Sequence, residues 1–203
     1  MKLVSALFLL GAVVVSPLST HPAAQSSPAS ATEAMYRAAA QSADTKFRHI
    51  ETNGKSSHPD PSPTVLTERE INSYVSSGKV ILPKGVSRLR FTGAAGAVTT
   101  NASVDFDKVT EGKGSSNPLM TLFSGVHDIQ VAAHAQGTAG QGRVHIDSVY
   151  IDGLPVPRVA LEYFASKYIK PKNPNLGIDS QFALPDRINT ATIGDHVLTI
   201  VQR

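Results

Sequence analysis

The stretch VHDIQVAAHAQGTAGQGRVHIDSVYID, residues 126–152, decides the fold of this chain. Apolar and polar residues alternate along 126–136 and again along 143–152, which is the period of a strand that buries one face. The glycine-rich segment 137–142 between them is typical of a loop that joins paired strands. We therefore predict an antiparallel hairpin with one shared apolar face. In a symmetric register that face is formed by Ile129, Val131, Ala133, Ala135, Val144, Ile146, Ser148 and Tyr150.

The polar face of this hairpin carries candidate metal ligands. In the symmetric register His134 lies directly opposite His145, and Asp147 follows on the same face two residues later. Two imidazoles and a carboxylate are ligand types that zinc and other divalent ions accept, so the three residues are a candidate metal site. The alternative is a pair of ordinary surface histidines that are neutral at pH 7.

Further strands are predicted on both sides of the hairpin. Upstream, segments 86–92 and 97–109 have strand-like polarity and are separated by a turn that contains two glycines. Downstream, segments 187–193 and 196–202 flank Gly194-Asp195, a pair that suits a two-residue type II′ turn. The chain therefore has the pattern of a sheet built from consecutive antiparallel strands.

The most strongly specified helix begins after Thr67. The Thr67 hydroxyl can accept from the Glu70 amide while the Glu70 side chain reaches back, which is a capping box. Leu66 and Ile71 have the spacing of a hydrophobic staple, and Gly78 is placed to end the helix.

Three other segments have weaker helical patterns. They are an alanine-rich segment from Thr32 to about residue 49, a short turn that starts at Asn117-Pro118, and a segment from Pro157 to about Ile169. The predicted fold class is α+β, with an antiparallel sheet of about five to seven strands packed on two or three helices.

The N-terminus has the parts of a secretory signal peptide. Lys2 supplies a positive charge, residues 3–15 are uncharged and mostly apolar, and small residues follow Ser16-Pro17. We predict a leader over residues 1–24, cleaved between 24 and 31. The apolar run is shorter than the roughly 20 residues that span a bilayer, so we expect a secreted or periplasmic protein with no transmembrane segment in the mature chain.

Composition divides the rest of the chain. Residues 25–63 are expected to hold a disordered segment, a loosely docked or extended helical arm and a linker rich in proline and serine. Residues 64–203 are expected to form a single α+β domain, a size that suits one hydrophobic core.

Composition also excludes several classes of site. The chain has no cysteine, which excludes disulfides, thiolate nucleophiles and cysteine-ligated metals. Its net charge of +3 is too small to indicate nucleic-acid binding. No motif for phosphate cradling, dinucleotide binding or serine hydrolysis occurs, so we expect no cofactor. Lys79, Lys84, Arg88 and Arg90 form a basic cluster that is either solvated surface or a contact for anionic lipid or a cell-wall polymer.

Apolar and aromatic side chains in the second half of the chain could line a ligand site between sheet and helices. Core packing is the alternative role for these side chains. The candidate ligand-binding residues are Leu119, Phe123, Tyr150, Phe164 and Tyr168.

Two short segments resemble known secreted proteins. The helix LTEREINSY, residues 66–74, is similar to a helix of small secreted α+β proteins of unknown function. The ending that runs from Leu184-Pro185 through Gly194-Asp195 to Ile200 is similar to the final hairpin of bacterial envelope proteins of the AsmA-like and TULIP-like type. The resemblance implies a curved antiparallel sheet that wraps a helix and shelters apolar chains, and it assigns no functional residue.

Three functions follow as hypotheses. The first is a non-enzymatic secreted or periplasmic domain that binds lipid or another apolar ligand. The second is a structural envelope protein that binds a protein partner through the apolar stripe of the N-terminal arm. The third is a metal-dependent hydrolase that uses His134, His145 and Asp147.

Overall fold

A computed structural model describes residues 28–110, 124–170 and 177–203 of the chain. These ranges contain four α-helices and nine strands. The helices are α1 (Pro28–Gly54), α2 (Glu68–Ser76), α3 (Phe106–Thr110) and α4 (Arg158–Phe164), and α4 continues as a π-helical segment, Ala165–Ile169. The strands are β1 (Thr64–Thr67), β2 (Val86–Ala94), β3 (Ala97–Asp105), β4 (Val126–Thr138), β5 (Gln141–Ile151), β6 (Leu154–Pro155), β7 (Asp179–Ala183), β8 (Ile188–Gly194) and β9 (Val197–Gln202).

The nine strands form one open sheet in which the pairings are antiparallel. The order is β1-β9-β8-β4-β3-β2, and β5 lies along the other side of β4 and carries β6 and β7. The α+β class is confirmed, but the predicted five to seven strands were too few. The strands outside the six predicted segments are β1, β6 and β7, which have four, two and five residues. Strands that short do not show a period of two.

The predicted central hairpin is confirmed, with one change of register. His134 pairs with His145 and Ala135 with Val144, as the symmetric register requires. A bulge then places Asp147 outside the pairing, so that Ser148 pairs with Ala132 and Val149 with Val131. From the bulge onward the side chains of β5 change faces, because successive residues of a strand point to opposite sides.

The glycine-rich segment 137–142 is not a loop of six residues. Gly137 pairs with Gly142 and belongs to the strands, and the turn consists of Ala139 and Gly140 alone. Both turn residues have positive φ, +52° and +75°, as a two-residue turn of the type I′ kind requires.

Two other boundaries differ from the prediction. The strand expected to reach residue 109 ends at Asp105, and α3 follows; the Asp105 carboxylate accepts from the Lys108 amide at the start of this helix. The β8–β9 turn is Asp195-His196 rather than Gly194-Asp195, and His196 has φ of +55°. Gly194 instead pairs with Val197 as the last residues of the two strands.

The second half of the N-terminal helix is part of the hydrophobic core, so for that half the expectation of a loosely docked or extended arm was wrong. In α1, Ala43 and Ile50 are 0% exposed and contact the core that includes Leu66 and Tyr74. The helix also begins before the predicted Thr32 and extends into the predicted linker, ending at Gly54. Alanine at the contact positions lets α1 approach closely, which is why its apolar stripe looked thin in the sequence.

The capping box of α2 is confirmed and does more than cap the helix. Thr67 and Glu70 exchange both expected hydrogen bonds, and the Glu70 carboxylate also accepts from Lys46 Nζ at 2.6 Å and from the Ser42 hydroxyl. Burial raises the pKa of Glu70, but these hydrogen bonds outweigh it and lower the pKa from 4.5 to about 2. One carboxylate therefore joins α1 to the start of α2.

The C-terminal strand is tied to α1 by a second polar contact. Gln202 is 2% exposed; its side-chain amide donates to the carbonyl of Ile50 and accepts from Asn53. Within the described ranges, the helices are each too short or too polar to cross a membrane.

Candidate functional site

The curved sheet encloses an apolar cavity of about 450 Å³ on its concave face. Seven strands, β2–β5 and β7–β9, contribute to its wall, and the first turn of α2 closes one part of the rim. The size lies within the roughly 300–1,000 Å³ that is usual for small-molecule sites. Aliphatic side chains that line it include Val86, Leu89, Val98, Val104, Ile129, Val131, Val144, Ile146, Ile193 and Leu198.

The cavity exists because its floor is built from small residues. Ala102, Ala133 and Ala135 occupy inward positions of β3 and β4, and Ala191 does so on β8. At these positions a leucine or phenylalanine would fill the space that alanine leaves open. The sequence contains a signal for this floor. Along β4 the inward-facing residues change from Ile129 and Val131 to Ala133 and Ala135.

Large side chains of the cavity wall remain partly exposed. Val104, Ile129, Val131, Val144 and Ile146 are neither fully buried nor fully exposed, whereas the core next to α1 contains residues at 0–3%. Aliphatic groups offer no hydrogen bonds, and exposing a contiguous set of them to water is unfavourable. The chemistry of the wall therefore suits an apolar ligand.

Paired glycines form a hollow for the side chains that close one end of the cavity. A Cβ atom on Gly142 would lie 2.6 Å from the Phe182 ring, and a Cβ atom on Gly137 would lie 2.8 Å from Leu184 Cδ1. Gly137 and Gly142 are direct partners across β4 and β5. Residues larger than glycine would push Phe182 and Leu184 off the sheet, so both positions require glycine for close approach.

An ion pair lies at the rim where α2, the β2–β3 hairpin and the β8–β9 turn meet. His196 Nδ1 is 2.6 Å from Glu68 Oε2, and the Glu68 amide donates to the His196 carbonyl at 2.8 Å. The Gly93 amide also donates to Glu68 Oε2, at 3.3 Å. The hydrogen bond to Glu68 raises the pKa of His196 above 6.5.

The residues predicted to bind a ligand do not come together around this cavity. Leu119 and Phe123 lie outside the described residues, as does the short helical turn predicted there, and the side chain of Tyr168 is likewise not described. Phe164 is half-buried on α4 and does not line the cavity. Tyr150 lies on the convex face, because the bulge at Asp147 reverses the orientation of the following residues.

The three predicted metal ligands do lie together, at the surface. Asp147 Oδ2 is 2.7 Å from His134 Nδ1, and Asp147 Oδ1 is 3.9 Å from His145 Nε2. His145 Nδ1 is bound instead to Asp179, and this hydrogen bond lowers the pKa of Asp179. The part of the chain that the structure describes contains no group of three or more such side chains arranged to hold a metal ion. The histidines form pairwise hydrogen bonds that join β4, β5 and β7.

Comparison of the chain with protein-family models, with curated proteins and with solved structures found no significant match.

Proposed function

We propose that this protein binds an apolar ligand, most simply the acyl chain of a lipid, in the cavity on the concave face of the sheet. The observation that carries the proposal is an apolar cavity of about 450 Å³ whose large aliphatic side chains are only partly buried. A ligand that covered Ile129, Val131 and Ile146 would complete their burial and gain the corresponding free energy, roughly 25 cal/mol per Å² of apolar surface.

The distribution of charge around the cavity supports an apolar ligand over a polar one. Glu68 and His196 at the rim are paired with each other, so neither is left to hold an opposite charge. Among the described residues, Thr100, Gln136, Arg143 and Ser180 also line the cavity, and the Ser180 hydroxyl already exchanges hydrogen bonds with the backbone of Gly177. Aliphatic side chains outnumber these polar ones, so shape and apolar contact would determine most of the affinity.

Native mass spectrometry of the purified protein tests the proposal. We expect a bound lipid in the wild-type protein and saturable uptake of palmitate by the delipidated protein. Ala133→Phe fills the floor of the cavity and should abolish uptake; Ala135→Leu, a smaller change, should weaken it. Ala132→Phe is the matched control, because Ala132 lies next to Ala133 but faces away from the cavity. Equal uptake by the Ala133 and Ala132 variants would contradict the proposal.

A second candidate function is protein binding through the first half of α1. Residues 31–38 of this helix are exposed, and Met35 and Tyr36 are 55% and 50% exposed. The contacts of α1 with the core begin only near Ala40. An exposed helical segment with large apolar side chains suits insertion into a groove of another protein.

Site-specific cross-linking tests this second function. A photoreactive residue in place of Tyr36 should give one discrete adduct in intact cells. The same residue in place of Lys55, which is also exposed but lies just after the opposite end of α1 and pairs with Glu51, should give none. Absence of an adduct at position 36 would contradict the hypothesis.

Export of the chain stays a prediction that is supported by the predicted leader. Cell fractionation and N-terminal sequencing would test it.

A further inference from the structure

The convex face of the sheet carries a polar depression that lies opposite the cavity. Its volume is about 620 Å³, and Ala102 and Ile129 contribute to both sites from the same two strands. The polar residues that line it are Arg88, Arg90, Asn101, Ser103, Asp128, Gln130 and Tyr150. The two sites have opposite chemistry and are separated by the thickness of one sheet.

Four side chains form a row across this depression. Arg90 pairs with Asn101, Asn101 with Gln130, and Gln130 with Tyr150, so that one residue from each of β2, β3, β4 and β5 lies in line. With strands about 4.8 Å apart, the row extends over roughly 14 Å. A guanidinium group, two amides and a phenol thus face the same side in a fixed sequence.

Most of this row is free to bind. Gln130 Nε2 donates to Asn101 Oδ1 at 3.1 Å, which fixes both amides and leaves the Asn101 amide nitrogen and the Gln130 oxygen available. Among the described residues, the side chains of Arg90 and Tyr150 have neither an ion pair nor a hydrogen bond. A guanidinium beside a fixed amide presents several donors in one direction.

A strained bulge adds a second guanidinium group. The register of β2 shifts between Ser87 and Arg90, and Arg88 adopts φ of +48°, which is uncommon for residues other than glycine. Leu89 points to the cavity while Arg88 lies in the depression. Arg88 Nη2 is 3.5 Å from Asp128 Oδ1, and both side chains are about three-quarters exposed, so this ion pair is weak.

Among the described residues that line the depression, Asp128 supplies the one carboxylate, and a hydrogen bond holds it in place. Asp128 Oδ1 accepts from the Ser103 hydroxyl at 2.6 Å, and Ser103 is 2% exposed. Two guanidinium groups against one carboxylate leave an excess positive charge, while the carboxylate, the amides and the phenol can bind hydroxyl groups. This set of groups matches a ligand with one anionic end and several hydroxyls.

We propose that the depression binds a phosphorylated sugar or polyol. Arg88 and Arg90 bind the phosphate, which matches the planar donor geometry of arginine. Asn101, Gln130 and Asp128 bind hydroxyl groups, and the Tyr150 ring contacts the face of the sugar. Two residues of the predicted basic cluster, Arg88 and Arg90, therefore belong to this site. The other two do not, because Lys79 pairs with Asp44 and Lys84 does not line the depression.

Titration of the full chain with glucose 6-phosphate, followed by ¹H–¹⁵N chemical shifts, tests the proposal. We expect saturable shifts in β2–β5 and at least about tenfold weaker binding for Arg90→Gln, since a charge-assisted hydrogen bond is lost. Arg69→Gln removes the same charge from an exposed site outside the depression and should change the affinity by less than about twofold. Tyr150→Ala should weaken binding of glucose 6-phosphate while leaving that of inorganic phosphate unchanged.

A second arm distinguishes a soluble ligand from a lipid headgroup. Co-sedimentation with phosphatidylcholine vesicles that contain phosphatidylinositol presents a phosphodiester and the hydroxyl groups of inositol at a membrane. The proposal is supported if either probe binds and if Arg90→Gln weakens that binding while Arg69→Gln does not. The probe that binds shows whether the ligand is a soluble sugar phosphate or a lipid headgroup. Three results would overturn it: binding to neither probe, equal weakening by the two arginine variants, or glucose binding as tightly as glucose 6-phosphate. None of these results depends on whether the cavity binds lipid.

Discussion

The two halves of the sheet differ in how completely their apolar side chains are buried. Where β1, β8 and β9 meet α1 and α2, the side chains of Ile50, Leu66 and Tyr74 are 0–3% exposed. Where β3, β4 and β5 curve together, equally apolar side chains such as Ile129 and Ile146 remain partly exposed. The first region obeys the ordinary rule that a sheet buries one face on helices. The second keeps its apolar face available.

The apolar surface that stabilises the fold therefore lies in a different region from the apolar surface that we propose binds a ligand. Covering an apolar sheet face is the main source of folding free energy, and the α1–α2 region uses it fully. The small residues along the floor of the cavity make fewer packing contacts than leucine or phenylalanine would make. Retaining a cavity of about 450 Å³ in place of such packing is understandable if a ligand fills it.

The sharpest test of this contrast replaces one isoleucine by alanine in each region. Ile50→Ala removes a fully buried side chain and should lower the free energy of unfolding by about 3 kcal/mol. Ile129→Ala removes a partly exposed side chain from the wall of an existing cavity and should lower it by about 1 kcal/mol. Urea unfolding followed by circular dichroism measures both. Equal losses would show that the two regions are packed alike.

The carboxylate that joins α1 to α2 should have the next largest effect. Glu70→Gln leaves Lys46 without its anion and weakens the capping box, so we expect a loss of about 2 kcal/mol at pH 7.

The contribution of Glu70 should also depend on pH in one direction. Its pKa is lowered from 4.5 to about 2 on folding, so its stabilisation is complete above pH 4.5 and is lost as the pH falls toward 2. The stability difference between wild type and Glu70→Gln should narrow over that interval. A difference that stayed constant from pH 5 to pH 2 would contradict this assignment.

The glycine hollow at the end of the cavity should be intolerant of even one methyl group. Gly137→Ala brings a Cβ atom to 2.8 Å from both Ala191 Cβ and Leu184 Cδ1, and we expect a loss of about 1–2 kcal/mol. Gly177→Ala is the control, because the nearest atom would be at an ordinary 3.6 Å. Thermal melting compares the two, and similar melting temperatures would argue against close packing at position 137.

The smallest expected effect concerns the pair at the cavity rim. Because Glu68 raises the pKa of His196 above its ordinary 6.5, the pair stabilises the protein below pH 6.5 and loses that contribution as the pH rises through the higher value. An NMR titration should show the elevated pKa of His196 in the wild type. In Glu68→Gln it should fall toward 6.5; an unchanged value would exclude Glu68 as the cause.

Features set by local patterns could be predicted from the sequence. The capping box needs only Thr67 and Glu70 at the right spacing, and the pairing of His134 with His145 follows from a symmetric hairpin. The bulge at Asp147 is marked only by two adjacent polar residues, Asp147 and Ser148, after which the apolar positions change from Val144 and Ile146 to Val149 and Ile151; Tyr150 fits either pattern, so the symmetric register was preferred. The bulge was enough to move Tyr150 from the expected ligand site to the opposite face.

Non-local packing determined the remaining differences. The docking of α1 depends on the burial of Ala43 and on the hydrogen bond between Ser42 and Glu70, which are 28 residues apart in the sequence. The cavity depends on how far the sheet curves and on which alanines line its floor. Neither property is fixed by a single segment, so the candidate site emerged only from the assembled fold.

Methyl NMR spectroscopy tests most directly whether the open half of the sheet is a binding site. Protein labelled at isoleucine methyl groups would be mixed with palmitate, and intermolecular NOEs to its acyl chain recorded. We expect NOEs to Ile129 and Ile146 of the cavity wall and none to Ile50 of the closed core. Saturating palmitate that gives no NOE to Ile129 or Ile146 would contradict it.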